Sequence, residues 1–182
     1  MGTKNQREKE KRQKWFGSRG IITTPNCTQI KTKIEKLVDP SWSTYIPAKC
    51  LDALGPNHAV ISIVDSYTPR PDLQRFTASL PLTIRPQCDR PYDDHKDVTP
   101  ELVESVVSFV VTNQDKGLVI HCGEGSVRSP ALAMALEYTM GIIMNQRAPG
   151  CPGNIGNADR ALFMSFRKVF KDLYPDGVEG FI

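Results

Sequence analysis

The stretch Val119-Ile120-His121-Cys122-Gly123-Glu124-Gly125-Ser126-Val127-Arg128-Ser129-Pro130 decides how this chain is read. The apolar run from Leu118 to Ile120 has the composition of a short buried strand. It breaks into a glycine-containing loop ending at Ser129-Pro130, which open an apolar helical run from Ala131 to Tyr138. A cysteine and an arginine, with five residues between them, therefore bracket a loop between a strand and a helix N-terminus. Backbone N–H groups of such a loop point inward and the helix dipole adds positive potential, which makes an anion site. Cys122 at its mouth is expected to have a lowered pKa, because that field favours the thiolate. Arg128 offers a planar, two-pronged donor for phosphate oxygens. A thiolate nucleophile in a phosphate cradle implies phosphoryl transfer through a cysteinyl-phosphate intermediate.

Working outward, composition narrows the class. A chain of 182 residues, 40% hydrophobic and 24% charged, is expected to form one globular domain with a sizeable core. No stretch approaches the roughly 18 consecutive apolar residues of a membrane span. The charged N-terminus has no apolar core of a secretory signal. Cys27, Cys50, Cys88, Cys122 and Cys151 are dispersed, without metal-binding spacing. Such a set, without a signal peptide, suggests a reducing cytosol, so a cytoplasmic location is expected. His58, His95 and His121 form no metal-ligand pattern either, and no metal is expected.

Charge is unevenly placed. Residues 1–20 carry seven basic and two acidic side chains, a net +5, against 16 basic and 18 acidic over the rest. This segment reads as a mobile basic arm, a solvated tail or a contact for nucleic acid, an acidic partner or a membrane surface. Residues 21–182 show no internal repeat and no linker, and read as one domain.

Along that domain, Gln29 to Val38 has partial helical spacing and Asp39-Pro40 stops it. Residues 42–54 are mixed, with a short helix expected from Pro47 to Leu54 before Gly55-Pro56. Ala59-Val60-Ile61-Ser62-Ile63-Val64 reads as a central strand of a covered sheet. Asp65 to Pro71 is a turn-rich loop. The segment Leu80-Pro81-Leu82-Thr83-Ile84 reads as an edge strand because of Pro81. Thr99 caps a helix with Pro100 first and Leu102, Val103, Val106, Val107 and Val110 on its buried face. The helix from Ser129 is expected to end at Gly141, and Asn157 to cap a last helix carrying Leu162, Phe166, Val169, Phe170 and Leu173. Strands alternating with helices indicate an α/β sheet covered on both faces.

Phosphoryl transfer also needs a proton donor, because a phosphate ester leaves poorly as an alkoxide. The same carboxylate can then activate water against the thiophosphate. The polar segment Arg85 to Asp97, with Asp89, Asp93, Asp94 and Asp97, is the one plausible supplier.

His-Cys-x5-Arg-Ser, an aspartate-rich loop upstream and a helix downstream resemble the cysteine-dependent protein tyrosine phosphatase superfamily. The small dual-specificity phosphatases are most similar, through Val119-Ile120-His121-Cys122, Gly125 and Arg128-Ser129-Pro130. The resemblance spans roughly residues 57–175, is specific at the cysteine loop and weak elsewhere. It implies an α/β fold in one domain, a central four- or five-stranded, mostly parallel sheet flanked by helices. It also implies no cofactor, and hydrolysis of phosphate monoesters on a phosphorylated protein substrate by a monomeric enzyme. Carried over, Cys122 is the nucleophile and Arg128 the clamp. Ser129 hydrogen-bonds the departing thiolate, His121 holds the loop and helps lower the thiol pKa, and Gly123, Glu124, Gly125, Ser126 and Val127 donate backbone N–H groups. Two alignments compete for the acid. Tyr92-Asp93-Asp94-His95 matches an aromatic–acidic–Asp pattern and selects Asp94, while counting back over a short helix selects Asp93. Asp97 lies too close to the Thr99 cap.

One residue departs from the family pattern. The position before the arginine, usually Ser or Gly, is Val127, whose branched side chain restricts the loop beside the clamp. Some family members protect the nucleophile with a second cysteine, and Cys88 reads either as an ordinary buried thiol or as such a partner. An RNA 5′-triphosphatase on the same scaffold, suggested by the basic arm, and a catalytically weak phosphate-binding module, suggested by Val127, stand as alternatives.

Overall fold

Ala59–Val64, here β2, is six residues of almost unbroken apolar sequence, and every one is buried. A strand with no polar face needs neighbours on both sides and cover above and below. The computed structural model, which describes residues 44–85, 95–142 and 158–179, supplies both. Thr44–Pro47 forms β1, Ala78–Thr83 forms β3 and Leu118–Cys122 forms β4. They assemble in the order β1-β4-β2-β3, and all three pairings are parallel. Thr44 and Ile46 stand opposite Val119 and His121, and Ser62 opposite His121 on the other side. β3 lies at the edge with Pro81 exposed, as its proline required.

β1 is new relative to the sequence reading, which left residues 42–54 mixed. The expected helix there is a single 3-10 segment, Ala48–Ala53, because β1 runs through Pro47 before it can start.

Among the described residues, three α-helices cover one face. In α1, Pro100–Thr112, the Leu102 N–H donates to the Thr99 hydroxyl at 3.3 Å, the expected cap. Its buried residues, Val103, Val106, Val107 and Val110, fall on one stripe and are each stabilising by roughly 1.5–3 kcal/mol. α2, Arg128–Met140, ends at Gly141, whose φ of 65° is the left-handed conformation that stops helices. The last helix, α3, runs Arg160–Leu173 and is capped by Asp159, not Asn157. The Asp159 carboxylate accepts from Leu162 N–H at 3.0 Å, so the cap sits two residues later than the sequence reading placed it.

Ile61, Ile63 and Ile120 meet Val103, Val106, Leu132, Leu136, Leu162 and Phe166 in the larger core cluster. On the opposite face Ile46, Val60 and Val119 pack against Cys50, Leu51, Leu54 and Phe76. Among the described residues, then, the α-helices lie on one face and the 3-10 segment with the chain before β3 covers the other. Parallel pairing puts the carboxyl ends of all four strands on one edge. That edge brings Pro47, Cys122, Asp65 and Ile84 together, and open parallel sheets generally place their sites there.

Candidate active site

Cys122 is the last residue of β4 and is buried. Its Sγ lies 3.2 Å from the Ser129 hydroxyl in the first turn of α2. Burial pushes the Cys122 thiol up. The Ser129 hydroxyl and the backbone N–H groups of Ser129, Gly125 and Val127 outweigh it and bring the pKa below the ordinary 9.0.

The loop from Gly123 to Val127 is held by its neighbours. Ala48 N–H donates to Gly123 C=O at 3.2 Å, and Asp159 N–H donates to Val127 C=O at 3.0 Å. Gly125 adopts a φ of 68°, and the Ile46–Pro47 backbone occupies the place where a Cβ would stand. Glu124 and Gly123 are exposed, and Ser126 and Val127 half-buried. Val127 occupies the N-cap position of α2 without a side-chain hydrogen bond to the helix.

Arg128 is drawn under the sheet edge, only 8% exposed. Its Nη1 donates to Ile84 C=O at 2.7 Å, and its Nη2 lies 3.6 Å from Asp65 Oδ2. Asp65 was read only as the start of a turn. Its Oδ1 accepts from Tyr67 N–H at 3.1 Å, Thr68 N–H at 2.7 Å and the Thr68 hydroxyl at 2.6 Å. The Thr68 hydroxyl, the two N–H groups and the Arg128 charge hold its carboxyl below the usual range against a smaller desolvation effect. Asp65 thus sets one carboxylate oxygen against Arg128. The signal in the sequence was its place at the carboxyl end of the strand beside β4.

His121 precedes Cys122 in β4. It is fully buried and neither ring nitrogen makes a hydrogen bond. Burial pushes its pKa down to about 4, so at neutral pH it carries no charge to act on Cys122.

Asp93, Asp94 and Cys88 lie outside the described residues. Asp97 is committed elsewhere. Arg85 Nη2 donates to its Oδ1 at 2.8 Å, and Arg85 N–H to its Oδ2 at 2.7 Å. The Arg85 guanidinium lowers the Asp97 pKa, and Asp97 in turn raises that of Arg85. His95, buried next to it, reaches Arg85 C=O through Nε2 at 2.9 Å. Among the described residues no group of three His, Cys, Asp or Glu side chains could hold a metal ion, and no helix is long and apolar enough to cross a membrane.

No family model matches the chain, and no curated protein matches it. Among solved structures it is similar to human tyrosine phosphatase-like serine/threonine/tyrosine-interacting protein, at 15% identity and a TM-score of 0.45, covering 71% of this chain and 87% of that one. It is also similar to Tk-PTP in the active form, at 19% identity and a TM-score of 0.43, covering 72% and 90%.

Proposed function

We propose that the chain is a phosphatase that hydrolyses phosphate monoesters on proteins, phosphotyrosine and also phosphoserine or phosphothreonine, through a cysteinyl-phosphate at Cys122. One observation carries the reading: a buried cysteine whose Sγ lies 3.2 Å from the Ser129 hydroxyl, and whose thiolate is favoured by that hydroxyl and by the backbone N–H groups of Ser129, Gly125 and Val127. A lowered thiol pKa separates a reactive cysteine from an inert buried one.

The Cys122 thiolate attacks phosphorus, the S–P bond forms, and the P–O bond to the protein side chain breaks. A carboxylic acid, Asp94 or alternatively Asp93, gives its proton to the leaving oxygen. The resulting carboxylate takes a proton from water, which attacks phosphorus. The S–P bond breaks, and the thiolate leaves with the Ser129 hydroxyl donating to it. Arg128 and the N–H groups from Gly123 to Val127 carry the charge on the three equatorial oxygens. A reducing, cytoplasmic setting, a monomeric enzyme and a phosphorylated protein partner belong to the same proposal, with the basic residues 1–20 available to an acidic partner or nucleic acid.

The test is turnover of a phosphotyrosine peptide, a phosphoserine peptide and a 5′-triphosphate RNA, with Cys122→Ser as control. Hydrolysis of the peptides that Cys122→Ser abolishes, with phosphate binding retained, is the expected result. Asp94→Ala should lower kcat by about 10²–10⁴, and the same loss from Asp93→Ala alone would move the acid there. Preferred hydrolysis of the RNA, or binding of phosphopeptide without turnover, would replace the proposal by the triphosphatase or the binding module.

A further inference from the structure

Tyr67, Tyr138 and Met164 are the large hydrophobic side chains left exposed among the described residues, and two of them line one groove. Tyr138, in the last turn of α2, is 66% exposed, and Met164, in α3, is 48% exposed. The groove, about 500 Å³, lies along the two helices and ends at Tyr174, Pro175 and Gly177, just past α3. Apolar side chains exposed singly need no explanation, but two in one concavity mark a surface that something covers.

The charge of the groove is one-sided. Arg167, Lys168 and Lys171 line it and no aspartate or glutamate does; Asp172 and Asp176 neighbour lining residues in the chain but are not in the lining. The Arg167 guanidinium stands 3.5 Å from the Tyr138 ring centroid and 5.2 Å from that of Phe163. Those two rings meet edge to face, 6.3 Å apart at 84°. Stacking thus fixes the guanidinium before anything binds. Among the described residues no carboxylate pairs with it. Its Nη1 reaches the Met164 sulfur at 3.9 Å, a weak acceptor, and its Nε is buried without a partner. A preformed guanidinium between exposed apolar side chains is complementary to a chain that offers a carboxylate and an apolar side chain together.

We propose that this groove docks an acidic peptide segment of a partner protein, with its carboxylates on Arg167 and Lys171 and one aromatic side chain against Tyr138 and Met164. The chain's own N-terminal part does not match it: residues 1–43 hold ten basic and four acidic side chains, and like charge repels them. Residues 143–157, between α2 and α3, hold no acid at all. The phosphates of a nucleic acid would meet the cations but offer nothing to Met164. Tyr138 lies ten residues beyond Arg128, about 15 Å along α2 at roughly 1.5 Å per residue. A partner held there leaves the Cys122 loop open, so docking stands apart from the phosphatase reading and does not rest on it.

The probe is a fluorescein-labelled, unphosphorylated peptide of glutamates around a central phenylalanine, with an alanine-centred peptide beside it. Binding to the full chain is read by fluorescence anisotropy. The phenylalanine peptide should bind about tenfold tighter than the alanine peptide, the size of one buried aromatic side chain. Arg167→Leu should weaken that binding about tenfold, as loss of an interface arginine does. Lys171→Glu should weaken it about threefold to tenfold. Lys171 is exposed, so this variant decides the matter if Arg167→Leu does not fold. Lys96→Glu makes the same charge reversal at an exposed residue beside the Arg85–Asp97 pair, and should leave binding within about twofold of wild type. Equal affinity of Lys171→Glu and wild type, or equal binding of the two peptides, would overturn the proposal. Tighter binding of a single-stranded RNA or of phosphatidylserine vesicles, lost in Lys171→Glu, would overturn it too and give the groove to that ligand.

Discussion

Replacing Gly125 by alanine separates the shape of the anion loop from its residue types. Gly125 has φ +68°, and a Cβ there would lie 2.5 Å from Pro47 N, 2.8 Å from Ile46 C and 2.9 Å from Pro47 Cα. All three are backbone atoms of β1, so no rotamer change relieves the contact. The left-handed conformation costs alanine about 1–2 kcal/mol, and overpacking against fixed atoms about 1–3 kcal/mol more. The sum, about 2–5 kcal/mol, corresponds to a fall in Tm of about 4–20 °C for a chain of this size. Gly123, two residues earlier, has nothing within 4 Å of its Cβ position and no positive φ. Gly123→Ala should stay within about 0.5 kcal/mol of wild type. Thermal unfolding by circular dichroism, with and without orthovanadate, reads both effects, since an anion that binds only the native loop raises Tm. Gly125→Ala should melt lower and lose most of the vanadate shift, while Gly123→Ala keeps it. A Gly125→Ala protein melting within about 1 °C of wild type would show that β1 does not set the loop.

Two further outcomes test the site's electrostatics. His121, with a folded pKa of about 4 against an ordinary 6.5, is neutral in the native state over a range where the unfolded chain is protonated. Below pH 6.5 the unfolded state binds the extra proton, so stability falls with pH toward 4, by at most about 3 kcal/mol at 1.36 kcal/mol per pH unit. Urea unfolding at pH 7 and 4.5 should show a smaller drop in His121→Leu, and an identical drop would mean that the ring is not buried neutral. Asp65→Asn keeps the oxygen that Tyr67 and Thr68 bind and removes the charge facing Arg128. Inorganic phosphate should then bind about threefold to tenfold tighter, the size of roughly 1 kcal/mol of charge repulsion, whereas weaker binding would make Asp65 a support for the clamp.

What the sequence discloses of this fold is what local pattern can carry. β2 and β4 are apolar runs, α1 announces itself with Thr99-Pro100, and α2 ends at a glycine, so each is legible from its own residues. β1 is not. Thr44-Tyr45-Ile46-Pro47 is four residues long, and its strand character comes from pairing with β4, far away in the chain. The last helix was placed, but its cap was read as Asn157, and the structure has it at Asp159, a second capping residue type two positions on. The site divides in the same way. Cys122, Arg128 and Ser129 lie close together in the chain and are readable as one motif. Asp65 and Arg128 belong to distant segments, and only the packed sheet edge makes them neighbours.

Val127 shows how a departure read as a defect takes another meaning in place. From the sequence it is bulk beside the clamp. In the fold it occupies the N-cap of α2, where Ser, Thr, Asp or Asn would satisfy N–H groups of the first turn. A capping oxygen at that position would accept from those N–H groups and compete with any anion for them. Valine has no oxygen to offer. The helix start forgoes about 1 kcal/mol of capping, and its donors stay directed at the cradle, where the N–H groups of Val127 and Ser129 already favour the Cys122 thiolate. The loop does not go slack for lack of a cap, because Asp159 N–H holds the Val127 carbonyl from outside. Bulk at 127 then bears on the shape of what enters, and the absence of a hydroxyl there bears on the charge it meets.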